Sequence, residues 1–241
     1  MNPTETQAPN NELALVTGAS SGIGLAICRR LLAAGYTVYG IGRDFSACPI
    51  RDAAFHPLEM DLCKTAELPE RLRELPLAHR ISLLVNCAGA AYYGPHEELS
   101  PRKIHEMVAV NLEAPLVLTQ LLLRSLKERR GTIVNVSSVT ARSQNNTYGC
   151  AYGATKAGLT SFGQSLFEEC RKSGVRVVTL QPDLTESNLY RNADFTTASE
   201  EDARLLPEET ADALMYILGL RRDVVVTEMT LRPQRNRIRR K

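Results

Sequence analysis

Two side chains four positions apart, Tyr152 and Lys156, have the types needed to exchange a proton with a carbonyl or hydroxyl group. On a helix such residues share a face, and the apolar spacing of Leu159, Phe162, Leu166 and Phe167 predicts a helix over this stretch. A tyrosine in water has a pKa of about 10 and transfers protons poorly near neutrality. A cation beside it favours the phenolate and is expected to lower that pKa. Alone the pair means little, because many helices carry a packed ring next to a solvated ammonium. It acquires meaning from the elements that must position it.

The first of these is a phosphate cradle. Leu13-Ala14-Leu15-Val16 is wholly apolar, as suits a strand buried on both faces. It runs into Thr17-Gly18-Ala19-Ser20-Ser21-Gly22-Ile23-Gly24, after which Ile23, Ile27, Leu31 and Leu32 predict a helix ending near Gly35. Glycines let the backbone come close to a pyrophosphate, and the helix N-terminus favours its negative charge. The glycine spacing is G-x-x-x-G-x-G rather than G-x-G-x-x-G. The second strand, 37–42, ends in Gly42-Arg43-Asp44. In dinucleotide folds an acid at this point holds the ribose 2′-hydroxyl, whereas an arginine accommodates a 2′-phosphate. Gly42 followed by Arg43 favours the phosphate, with Ser20 as a second contact and Asp44 as the opposing charge.

Strands are further expected at 55–60, leading to Asp61-Leu62; at 81–85, opening into Asn86-Cys87-Ala88-Gly89; and at 131–136, ending at Ser137-Ser138. Two more are expected at 175–180, breaking at Gln181-Pro182, and at 224–231. Helices are expected at 65–75, 101–126 and 207–218, besides the Tyr152 helix. Pro115 must disturb the 101–126 helix one turn earlier, at Asn111. Residues 185–206 are polar, lack a strong period and read as a lid. Apolar strands alternating with helices give an α/β fold with a doubly wound parallel sheet, a single Rossmann-type domain over 12–232. A flexible tail (1–11) precedes it and a basic, solvated tail (233–241) follows. Ligands bind beyond the carboxyl ends of such strands. The glycine turn, 86–89, Ser138 and the Pro182 loop all fall there.

Composition sets the bounds. In 241 residues, 44% hydrophobic and 23% charged content is ordinary for a globular domain, and a net charge of +2 argues for neither a nucleic-acid nor a membrane partner. Six scattered cysteines with no CxxC pair argue against zinc and fit a reducing cytoplasm. The polar N-terminus has no signal-peptide pattern, and apolar runs such as 116–123 fall short of a membrane span.

These motifs resemble the short-chain dehydrogenase/reductase family in its compact, single-domain branch. The glycine turn matches the family's TGxxxGxG, and Asn86-Cys87-Ala88-Gly89 matches NNAG with Cys87 substituted. Asn111, Ser138, Tyr152 and Lys156 match the catalytic tetrad in type and order. The resemblance covers roughly residues 13–232. It implies that Tyr152 gives or takes the proton, that Lys156 tunes it and holds the nicotinamide ribose, and that Ser138 positions the substrate oxygen. Asn111 would hold a water in the proton relay. Cofactor contacts are implied at Gly18, Ser20, Ser21, Gly22, Ile23 and Gly24 in the turn, at Arg43, Asp61 and Leu62, and at Asn86, Ala88 and Gly89. Tyr152, Lys156, Pro182, Thr185 and Ser187 complete the set. The family's PGxVxT loop is altered, with Asp183 in place of its glycine, Thr185 at the Val position and Ser187 at the Thr position.

The expected activity is hydride transfer between NADP(H), favoured over NAD(H), and a small-molecule secondary alcohol or ketone. Residues 206–233 resemble a branch acting on short 3-hydroxy acids; hydroxysteroid and 3-oxoacyl reductases share the core. An epimerase of the extended branch would need a further substrate domain, and a regulatory protein on the same fold would be expected to lose Tyr152 or Lys156. Tyr148, one turn before Tyr152, is a competing phenol expected to line the substrate pocket, and Tyr92 and Tyr93 are candidates for its border. Family precedent and surplus apolar residues (Leu116, Leu121, Leu122, Leu123, Leu159, Phe162, Leu166, Phe167) lead us to expect a homodimer or homotetramer.

Overall fold

A computed structural model describes residues 12–75, 78–143 and 146–241. The expected flexible tail, 1–11, lies outside the described residues. Seven parallel strands form one sheet: β1 (Leu13–Thr17), β2 (Thr37–Gly42), β3 (Phe55–Glu59), β4 (Ile81–Asn86), β5 (Thr132–Val136), β6 (Arg176–Pro182) and β8 (Glu228–Leu231), in the order β3-β2-β1-β4-β5-β6-β8. Every residue of β1, β4, β5 and β6 is buried, which is why those runs are mostly apolar and do not alternate with exposed polar residues.

Helices cover both faces. On one, α1 (Gly22–Ala33) and α6 (Pro207–Gly219) pack Ile27, Leu31 and Leu214 against Val16, Val38 and Val178. On the other, α2 (Leu68–Arg73), α3 (Pro101–Val108), α4 (Ala114–Glu128) and α5 (Cys150–Cys170) gather about the sheet, with Leu118, Leu122, Leu126 and Leu166 against Leu15, Leu84 and Ile133. α5 lies so close to the sheet that a Cβ at Gly163 would fall 2.6 Å from Thr179 Oγ1. The strand order reverses between β1 and β4, and that switch point opens the crevice.

Four expectations change in detail. The 101–126 helix is interrupted by a π turn at Ala109–Glu113, where the Ala114 N–H reaches the Ala109 carbonyl five residues back. Pro115 has no N–H to give the Asn111 carbonyl, so the disturbance falls where the proline predicts it. The whole run Pro101–Glu128 is long and apolar enough by length and composition to cross a membrane, which the sequence reading did not foresee. Here its apolar side covers the sheet. The last sheet strand is confined to Glu228–Leu231 rather than 224–231.

The fourth change is the largest. The basic segment read as a solvated tail contains β9 (Ile238–Arg240), paired antiparallel with β7 (Phe195–Thr197). β7 lies within the expected lid, 185–206, which also carries a 3-10 turn at Asn188–Asn192 and a bridge from Thr185 to Leu205. Of the eight apolar residues singled out for subunit pairing, Leu122, Leu159 and Leu166 are buried in the chain's own core. Leu116, Leu121, Leu123, Phe162 and Phe167 remain half-buried.

Candidate active site

The glycine turn has no room for side chains. Gly18 (φ +71°) and Gly22 (φ +53°) take the left-handed conformation that glycine alone adopts without strain. A Cβ at Gly18 would lie 2.9 Å from the Ala88 Cα, and one at Gly24 only 2.2 Å from the Gly18 carbonyl oxygen. The N-cap of α1, Ser21, makes no side-chain capping bond, and the first turn carries no acid. The uncapped first turn, Gly22 to Gly24, lines the crevice, and a helix N-terminus favours an anion there. Thr17 ties this turn to the next strand end: its Oγ1 accepts N–H bonds from Cys87 (2.9 Å) and Ala88 (3.0 Å).

Two hollows meet along this turn, sharing Gly18, Ser21, Ala88 and Gly89. One, of about 140 Å³, is lined by Gly22, Ile23 and Gly24, by Ser138, Tyr152 and Lys156, and by Pro182, Thr185 and Ser187. The other, of about 230 Å³, is lined by Ser20, Gly42, Arg43, Asp61 and Leu62. Of the residues expected to hold the cofactor, only Asn86 fails to reach either. It is buried, and its Nδ2 donates to Asn135 Oδ1 (2.9 Å) on the neighbouring strand, a bond that braces the strand ends.

Arg43 has a 60% exposed side chain, with Nη1 3.4 Å from Glu106 Oε1. Asp44, the opposing charge, is turned to its own loop: it accepts the Ser46 N–H (2.7 Å), and that bond holds its carboxyl below the usual range. A Cβ at Gly42 would meet the Phe45 ring at 3.0 Å and Ser20 Oγ at 3.2 Å, so an acid there would have to shift those two side chains.

The tetrad is assembled. Tyr152, 3% exposed, is hydrogen-bonded to Ser138, whose Oγ also accepts the Thr140 N–H (3.2 Å). Lys156, also 3% exposed, donates from Nζ to the Val136 carbonyl (2.9 Å) and lies 5.9 Å from the centre of the Tyr152 ring. Asn111 is fully buried, its Oδ1 taking the Ala90 N–H and its Nδ2 donating to the Ala90 carbonyl (both 2.8 Å) and to Thr155 Oγ1 (3.0 Å). Its side chain is thus spent on holding the loop after β4 against α5.

One expectation about this site is overturned. The Tyr152 phenol is not lowered: burial pushes it well above the ordinary tyrosine value, with Tyr190 nearby adding to the rise and the Ser138 bond opposing it. Burial also brings Lys156 down from 10.5 to about 8, against a smaller opposing effect of Cys87. Desolvation outweighs the pairing of charges because both groups sit under protein and the ammonium is directed at a carbonyl.

On its far side Tyr152 faces a cavity of about 920 Å³, which it and Ser138 line together with Tyr93, Tyr148, Tyr190 and Phe195. Tyr93 packs on Tyr152 (centroids 5.8 Å apart) and on Phe195 (5.0 Å). Tyr148 stands at the rim, 61% exposed, at φ +61°. Tyr92 turns away and donates to Glu106 (2.6 Å). Sequence reasoning missed Arg191, which lines both cofactor hollows, and the wall formed by Tyr190 and Phe195. All three lie in the unpatterned 185–206 stretch, where no motif marks them.

Residues 12–197 match the family model described as short chain dehydrogenase. Over 231 residues the chain is 30% identical to serine 3-dehydrogenase of Agrobacterium fabrum, covering 91% of this chain and 92% of the relative. A probable NADP-dependent dehydrogenase of Haemophilus influenzae is 31% identical over 226 residues, covering 85% and 86%. Among solved structures, an alcohol dehydrogenase from the archaeon Thermococcus sibiricus, complexed with 5-hydroxy-NADP, superposes with a TM-score of 0.84 at 26% identity, over 95% of this chain and 99% of that one.

Proposed function

The chain belongs to the short-chain dehydrogenase family, and from that premise we propose that it moves a hydride between NADP(H) and the carbinol carbon of a short hydroxy acid. One observation carries the reading. Tyr152 and Ser138 line both the crevice of the glycine turn and the 920 Å³ cavity, so a proton donor stands where the two meet. The crevice fits a dinucleotide: it is walled by a glycine turn packed too tightly for a Cβ at Gly18 or Gly24, and the uncapped N-terminus of α1 borders it. Gly18, Gly22 and Gly24 would take the pyrophosphate, Asp61 and Leu62 the adenine side, and Lys156 the nicotinamide ribose. When bound, the cofactor supplies or accepts the hydride.

The chain's own groups do the rest. In the reducing direction the Tyr152 hydroxyl gives its proton to the substrate oxygen, and Ser138 Oγ fixes that oxygen by a hydrogen bond. Burial excludes water and keeps the phenol protonated until it is used. Lys156, with Nζ 5.9 Å from the centre of the Tyr152 ring, is the group placed to return the proton to the phenolate. The hydroxy-acid class is supported by the serine 3-dehydrogenase relative. Wild-type protein offered NADP(H) with short hydroxy acids and their keto forms should turn the nicotinamide over; inertness toward all of them would sink the reading.

The preference for NADP(H) rests on Arg43. Its contact with Glu106 is long, at 3.4 Å, and open to solvent on the arginine side, and is worth roughly 0–1 kcal/mol. A charge-assisted bond to a 2′-phosphate is worth roughly 1.5–3 kcal/mol, so the phosphate wins the arginine. Arg43→Ala should weaken NADP(H) about 10- to 100-fold and change NAD(H) little. Titration of both cofactors against both proteins measures this. Equal affinity of the wild type for the two, or full preference in the variant, would show that Arg43 does not choose the cofactor.

A further inference from the structure

The folded basic segment is the sequence feature that the reaction leaves unused. It is tied down along its length. The Asp183 N–H reaches the Leu231 carbonyl (3.0 Å), Asn236 Nδ2 donates to Asp183 Oδ1 (3.4 Å), and Arg232 Nε lies 4.0 Å from Asp183 Oδ2. Arg235 pairs with Asp202 (2.7 Å) and Arg237 with Glu200 (3.8 Å). Beyond β9, Lys241 donates from its backbone to the Asp194 carbonyl and from Nζ to the Tyr190 carbonyl (both 2.8 Å). The departure from the family loop, Asp183, is thus the anchor of a strap drawn across the substrate cavity.

Side chains on a strand alternate. Ile238 and Arg240 line the 920 Å³ cavity with Tyr152, whereas Arg239 between them does not. The charged groups facing that cavity are Glu98, Asp183, Asp194, Arg232 and Arg240. Asp183 and Arg232 offset each other, and Glu98 and Asp194 are exposed at the rim. Among the described residues Arg240 has no carboxylate within ion-pairing distance.

We infer that Arg240 is a specificity-determining residue that receives the carboxylate of the substrate whose hydroxyl lies at Tyr152. This rests on the hydroxy-acid reading. A guanidinium pairs with a carboxylate through two parallel bonds. Pairing of β9 with β7 fixes the backbone from which the exposed Arg240 side chain reaches the cavity.

The test compares a short 3-hydroxy acid with its methyl ester, in wild type, Arg240→Gln and Arg240→Lys. The ratio of kcat/KM for acid over ester should fall about 10- to 100-fold in Arg240→Gln. The loss should lie in KM for the acid, and Arg240→Lys should recover part of it. An unchanged ratio in Arg240→Gln, or a wild type that does not prefer the acid, overturns the assignment while leaving the hydroxy-acid reaction standing. A wild type that turns over other alcohols but neither of these compounds overturns the hydroxy-acid reading, and the role of Arg240 with it.

Discussion

Tyr152→Phe should lower turnover by two to four orders of magnitude and leave cofactor affinity nearly unchanged. General acid catalysis by a placed group contributes roughly 10²- to 10⁴-fold. The substitution deletes only the hydroxyl: the ring keeps its packing against Tyr93, and Ser138 keeps the Thr140 N–H. The fold should lose little more than one hydrogen bond, about 1 kcal/mol. Steady-state kinetics with a cofactor titration on the same preparation separate the two effects. Near-normal turnover would pass the role to Tyr148. Its 61% exposure and its lack of a lysine four residues on make it a poor proton donor to a closed site.

Gly24→Ala should abolish cofactor binding in the concentration range where the wild type saturates. The new methyl would lie 2.2 Å from the Gly18 carbonyl oxygen, a backbone atom that cannot swing aside. The turn must move, and its N–H groups then no longer converge on one anion. Overpacking of this kind costs roughly 1–3 kcal/mol of stability, so a lowered Tm should accompany the loss. Gly219→Ala is the control, since a methyl there meets nothing within 4 Å. In a helix that exchange is neutral or stabilising. Wild-type affinity in Gly24→Ala would mean that the cofactor does not use the glycine turn.

The sequence carried the architecture because its signals are local. Strands as rich in apolar residues as β1, β4, β5 and β6, without alternation, suit a sheet covered on both faces, and the glycine turn binds nothing unless a strand precedes it and a helix follows. Pro115 marked the break at Asn111 because a missing N–H acts one turn away along the same helix. What escaped depends on contacts distant in the chain. Arginine-rich residues 232–241 read as solvated because their partners, Asp183, Glu200 and Asp202, stand 30 or more positions away, and nothing local pairs them. Asn86 was read as a cofactor contact from its motif; its bond to Asn135, set by strand register, could not be read there. The tyrosine–lysine spacing predicted a lowered phenol because spacing reports a neighbouring charge. It does not report burial, and burial dominates here.

The central claim is that a hydride passes directly from the nicotinamide to the substrate carbon while the proton comes through Tyr152. It is tested most directly by supplying NADPH deuterated at the transferring carbon of the ring, together with a short keto acid, and locating the label by mass spectrometry and NMR. The account predicts one deuterium at the carbinol carbon of the hydroxy acid formed, with a solvent proton on its oxygen. A hydroxy acid without deuterium at that carbon would contradict it.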